Sequence, residues 1–114
     1  MDKLKIDYIE LATANIAGSK TFLSEAFGWE FADYGPEYQA FANAGIDGGL
    51  DGTGQQAAQG TGLVILKAKD LDAALKRVTG AGGAVTKPIF TFPGGRRFHF
   101  REPGGVEMAI WSET

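Results

Sequence analysis

Residues 5–28 read KIDYIELATANIAGSKTFLSEAFG, and this stretch holds a complete strand–helix unit. Lys5 to Ala12 alternates with period two, so Ile9 and Leu11 face one side of a strand and Tyr8 and Glu10 the other. Asn15 offers a side-chain oxygen as a helix N-cap. Ile16, Leu23, Ala26 and Phe27 follow at helical spacing, and Gly28 suits a left-handed stop. Gly18 weakens the helix by about 1 kcal/mol relative to alanine. The same unit returns 55 residues later. The shift carries Asn15 to Asp70, Ile9 to Val64, Leu11 to Leu66, Ile16 to Leu71, Leu23 to Val78 and Gly28 to Gly83. Strand, cap, stripe and stop superpose without a gap, which predicts a tandem duplication.

The segments after each helix complete the units. Trp29-Glu30-Phe31 begins a short strand, Tyr38 to Ala42 forms another, and Asp47 to Leu50 a weak, glycine-rich third. Asp51 to Gly60 is polar and aperiodic, with linker character. In the second copy, Leu71, Ala74, Leu75 and Val78 make an amphipathic stripe. Ala84 to Lys87 and Ile89 to Phe92 follow as two segments, with a hairpin turn at Pro93-Gly94-Gly95. Gly94-Gly95-Arg96 is no phosphate loop, because no helix follows it. Two strands close the chain around the turn Glu102-Pro103-Gly104-Gly105, one alternating from Arg97 to Arg101, the other placing Val106, Met108 and Ile110 on a core face and Glu107, Ala109 and Trp111 on the opposite one. The expected fold class is α+β. Two tandem βαβββ modules, about 4–52 and 61–113, form curved mixed sheets around a groove, with the helices on the outer face, in one domain spanning 1–114.

With 114 residues, 44% hydrophobic and 22% charged, the chain is an ordinary globular domain able to bury roughly two thirds of its unfolded surface. A net charge of −3, a pI of about 5.0 and the absence of a basic run argue against nucleic acid. Without cysteine there are no disulfides, thiolate metal sites or cysteine nucleophiles. Charges recurring through Met1 to Glu10, and no long apolar run, argue against a signal peptide or membrane span, so a cytoplasmic location is expected.

The sequence resembles the vicinal oxygen chelate superfamily, which includes glyoxalase I, extradiol dioxygenases, bleomycin-resistance proteins and fosfomycin-resistance enzymes. The match rests on Glu10-Leu11 followed by Asn15-Ile16, on Phe27-Gly28-Trp29-Glu30-Phe31, on Gly94-Gly95-Arg96, and on Arg101-Glu102-Pro103-Gly104-Gly105-Val106. The family usually has Asp-Pro-Asp/Glu-Gly in that last turn, so Glu102 and Gly104 are departures. The resemblance also implies where a metal would be held. The first-strand ligand falls on Tyr8, its counterpart on Leu63 (or Val64 after a one-residue slip) and the final carboxylate on Ala109. The fourth falls between Asp47 and Leu50, where only Asp47 could donate. Divalent metals want His, Asp, Glu or Cys. No metal is therefore expected at the family's usual place and no cofactor at all, while a divalent metal elsewhere is left open.

The family alignment puts Arg97 and His99 on the groove side, where fosfomycin-resistance enzymes hold substrate-contacting residues, and turns Phe98 and Phe100 to the helices. A four-residue loop pairing Arg101 with Val106 would reverse this. The ligand-binding residues expected are Tyr8, Glu10, Leu63, Ile65, Arg97, His99, Glu107 and Trp111, with Lys67 and Ala109 on the same wall and Trp29 and Tyr38 less certain members. His99 beside Glu107 is the catalytic candidate, as a general acid/base, or else a strand histidine paired with a carboxylate. Glu10 and Glu107 form a carboxylate pair, or are neutralised by Arg97, Arg101 or Lys67. Trp111 and Tyr8 stack on a ligand or fill the groove. Two functions remain: a metal-independent small-molecule binder of the bleomycin-resistance type, with anions favoured by the arginines and cations by the acids, or a lyase, isomerase or dioxygenase with a non-standard or metal-free site. Family members of this length imply a homodimer.

Overall fold

A computed structural model describes residues 2–103 and 105–114 and shows a mixed α+β chain of two tandem βαβββ modules. Its order is β1 (Lys5–Ala12), α1 (Ile16–Phe27), β2 (Glu30–Asp33), β3 (Tyr38–Ala42), β4 (Asp47–Asp51), β5 (Gly62–Lys67), α2 (Leu71–Gly80), β6 (Ala84–Phe92), β7 (Gly95–Arg101) and β8 (Glu107–Ser112). By compactness it divides into an N-terminal unit, Asp7–Leu63, and a C-terminal unit, Val64–Thr114 together with the leading residues up to Ile6. Among the described residues no helix is long and apolar enough to cross a membrane.

The duplication extends to topology. In the N-terminal unit the strands run β1-β4-β3-β2, with β1 parallel to β4 and the other pairs antiparallel. In the C-terminal unit they run β5-β8-β7-β6, again with one parallel pair, β5 and β8, followed by antiparallel ones. Both predicted caps form: Asn15 accepts from the Gly18 N–H at 3.0 Å and Asp70 from the Ala73 N–H at 3.1 Å. The stops differ. Gly28 takes the left-handed conformation after α1, but after α2 Gly82 does so rather than Gly83. The second helix is shorter, 10 residues against 12.

The core of the C-terminal unit follows the predicted stripe. Leu71 and Ala74 of α2 pack with Ala68, Phe98, Phe100 and Ile110, with Leu75, Val78, Met108 and Leu4 around them. Burying each large side chain contributes about 1.5–3 kcal/mol. Val106 is a correction: it lies outside β8, with 58% of its surface exposed. The loop before β8 is longer than a four-residue turn, pairing Arg101 with Glu107. The Val106 carbonyl accepts from the Glu102 N–H at 3.0 Å. Gly104, inside the predicted turn, lies outside the described residues. The two segments predicted around Pro88 are one strand, β6, whose pairing with β7 shifts register between Val85 and Phe90. Proline has no N–H to give the ladder, so the irregularity falls beside it.

The α1 stripe is the second correction. No residue of α1 is fully buried, and Phe22 and Phe27 are 60% and 61% exposed. The strand beneath is DGGLD, which presents only Leu50 as a large apolar side chain. The space above Gly48 is taken by the Phe41 ring. An open concavity of about 640 Å³, lined partly by Leu11, Phe22, Leu23 and Leu50, remains beside the helix.

Candidate functional site on the helix-free sheet faces

Strand alternation sorts the candidates. On β7, Phe98 and Phe100 enter the core under α2, so Arg97 and His99 take the opposite, helix-free face, as the family alignment implied. The register sets Trp111 beside Arg97, Ala109 beside His99 and Ile65, and Lys67 beside Trp111. Ile65, Ala109 and Leu63 are buried.

Cations and rings alternate across this face. The Lys67 ammonium lies 5.0 Å from the Trp111 ring, which lies 6.0 Å from Phe92. The Arg97 guanidinium, in a residue only 7% exposed, sits 5.8 Å from Phe92 and 5.6 Å from Phe90. Phe90 in turn stacks at 5.8 Å on His99. Such contacts are worth about 0.5–2 kcal/mol each, more when desolvated. The sequence pattern marks Phe90 and Phe92 only as strand residues. Their role depends on the β6–β7 register across Pro88, which local pattern does not carry.

His99 is completely buried. Its Nδ1 lies 3.7 Å from Glu107 Oε2, and neither ring nitrogen has a hydrogen-bond partner among the described residues. Burial, then the positive charges of Arg97 and Lys87, push its pKa down to about 4, against the opposing pull of Glu107. The imidazole is neutral at pH 7, with one donor and one acceptor. Glu107 is held from two sides: Thr86 Oγ1 donates to Oε2 at 2.8 Å and an Arg101 nitrogen lies 3.7 Å from Oε1. Lys67 pairs at 2.6 Å with Glu113.

The N-terminal unit has its own cluster on the face away from α1. Tyr38 donates from its hydroxyl to Glu10 Oε2 at 3.0 Å, and the Tyr8 and Tyr38 oxygens are 2.6 Å apart. Because the single Tyr38 proton goes to Glu10, Tyr8 donates in that contact. Glu10 is 6% exposed. Burial and the Glu10 charge raise the Tyr38 pKa far above the ordinary phenol range. Trp29 lies on the other face, its ring 4.8 Å from Phe41.

The family's metal does not fit these residues. Tyr8 is committed to Tyr38, and Leu63, Val64 and Ala109 carry no donor side chain. In the Asp47 to Leu50 region, Gly49 opposes Glu10 on β4 and its side-chain space is filled by the Tyr38 hydroxyl. Asp47 opposes Tyr8 at the exposed end of that strand. Among the described residues no three His, Asp or Glu side chains converge as a ligand set.

Comparison with known proteins agrees with this architecture. Residues 5–110 match the model of the Glyoxalase/Bleomycin resistance protein/Dioxygenase superfamily. No curated protein matches in sequence. Among solved structures, a glyoxalase/bleomycin resistance protein/dioxygenase superfamily member from Vibrio splendidus 12B01 is similar, with a TM-score of 0.74 and 16% identity over 96% of this chain and 99% of that one. The Mn(II)-bound glyoxalase from Novosphingobium aromaticivorans gives 0.69 and 20% over 96% of this chain and 38% of that one. Methylmalonyl-CoA epimerase from Mycobacterium tuberculosis gives 0.70 and 13% over 96% and 87%. At these identities the likeness is one of fold.

Proposed function

The chain belongs to the Glyoxalase/Bleomycin resistance protein/Dioxygenase superfamily, and from that premise we propose that it binds a small, planar organic molecule on the helix-free face of its C-terminal unit, without the metal of its metal-dependent relatives. The observation that carries this reading is His99. A buried imidazole with no hydrogen-bond partner for either nitrogen is destabilising unless something supplies partners. A ligand with a hydroxyl or carbonyl group would do so, and the rings of Phe90, Phe92 and Trp111 would take its flat face. The Arg97 charge favours a ligand of anionic character. A homodimer in the cytoplasm goes with this reading.

Benzoate is a suitable probe. In a W29F background, Trp111 is the sole tryptophan, and its fluorescence should be quenched saturably by benzoate, unchanged by EDTA, and about tenfold or more weaker in H99F. Metal analysis of the purified protein should find far less than one equivalent. Stoichiometric Mn, Fe, Ni or Zn, or quenching that does not saturate, overturns the proposal.

A second reading, a lyase, isomerase or dioxygenase of the same superfamily, is favoured by one observation. Glu107 is held against His99 Nδ1, which leaves the buried Nε2 as the nitrogen to act as a base, unprotonated at pH 7. This geometry serves proton transfer, the step a metal-free lyase or isomerase needs. Deuterium incorporation into methylmalonyl-CoA in D2O with EDTA present, lost in H99Q, would establish it. Its absence leaves binding alone.

A further inference from the structure

We propose that Thr86 is a positioning residue for His99: through the Glu107 carboxylate it keeps the imidazole proton on Nδ1 and leaves Nε2 as the acceptor. This deepens the proton-transfer reading of His99 and rests on it for its functional meaning, because a base must present its lone pair at a fixed atom. The observation behind it is an irregularity in β6. Val85 pairs with Phe100 and Lys87 with His99, so Thr86 is an extra residue between neighbouring rungs of the ladder. A bulge of this kind re-aims a side chain. The Thr86 hydroxyl donates to Glu107 Oε2 at 2.8 Å. Thr86 stands on β6 and Glu107 on β8, with β7 between them, so the bond draws the carboxylate across β7. The same Oε2 lies 3.7 Å from His99 Nδ1.

Without that bond Glu107 has another group to follow. Arg101 opposes it directly in the β7–β8 register and lies 3.7 Å from Oε1, with half of its own side chain in water. The Thr86 hydroxyl holds one oxygen back while Arg101 attends the other. A carboxylate held this way presents Nδ1 with an acceptor. Which ring nitrogen carries the proton is set by the partner offered to it, so an acceptor beside Nδ1 draws the proton there. Burial first, then the charges of Arg97 and Lys87, keep the ring from taking a second proton at pH 7. One nitrogen therefore stays bare, and it is Nε2. Thr86 itself is exposed on the edge strand, so replacing it tests the hydroxyl rather than the core.

The test needs no ligand. The chain has one histidine, so the ring nitrogen NMR signals of the isotopically labelled whole chain at pH 7.5 have a single source. The natural chain should show a protonated Nδ1 and a bare Nε2. In T86V, which keeps the branched shape and loses the hydroxyl, the ratio of the two tautomers should fall about tenfold or more. T86S, which keeps the donor, should behave as the natural chain does. A proton on Nε2 in the natural chain, a T86V spectrum like the natural one, or a T86S spectrum like that of T86V overturns the proposal. The first of these is read without any variant and does not depend on how T86V folds. A chain with the expected tautomers but no deuterium exchange loses the proton-transfer reading alone. One that exchanges deuterium while T86V leaves the tautomer unchanged loses the role of Thr86 alone.

Discussion

The Tyr38 hydroxyl lies where a side chain on Gly49 would stand. The glycine admits the phenol, and the phenol in turn reaches Glu10 and Tyr8. G49A should therefore destabilise the protein by roughly 1–3 kcal/mol in urea denaturation, the usual effect of forcing a group into filled space. The loss should be strongly non-additive with Y38A, because removing the ring removes the collision. Additive effects would show that the two residues do not share that space.

His99 makes a pH prediction whose sign is set by its lowered pKa. The unfolded imidazole takes up a proton near its ordinary value of 6.5, and the folded one only near 4. Stability is thus complete above about pH 6.5 and declines as pH falls toward 4, by up to about 3 kcal/mol from this residue. Denaturation at pH 7.5, 6 and 5 should show the decline, and H99Q should flatten it. With one histidine in the chain, its NMR titration reports the folded value directly. A midpoint near 6.5 would contradict this.

Alkaline titration followed by tyrosinate absorbance should separate the phenols. Tyr38 should stay protonated until the protein unfolds, because its ionisation would place a charge beside Glu10 in a buried setting. Y38F, which removes both of its hydroxyl contacts, should lower stability by about 1–2 kcal/mol.

The two helices should respond unequally to truncation. L71A removes a side chain wholly inside the α2 core and should cost about 2–5 kcal/mol. F22A removes a larger ring from α1, yet should change stability by only about 0.5 kcal/mol, because that ring is mostly in water. Thermal or urea unfolding of the two variants compares them directly.

How much could be read in advance follows the range of the interactions. The duplicated strand, cap and helix are local patterns of alternation, helical spacing and a capping side chain, and they were legible residue by residue from Lys5 to Gly28 and again around Asp70. The face shared by Arg97 and His99 came from alternation and the family likeness, and so did the unsuitability of Tyr8, Leu63 and Ala109 as metal ligands. The rest needed partners brought from elsewhere in the chain. Periodicity marked an apolar stripe on α1, but a strand with two adjacent glycines cannot cover it. Gly49 and Tyr38 are unremarkable letters until the β3–β4 register sets them together. The stacking of Phe90 on His99 likewise depends on how β6 pairs across Pro88. Local order is encoded by neighbours in the chain, whereas the burial and polarity of His99 and Tyr38 are made by strands far apart in it, and only folding brings those strands together.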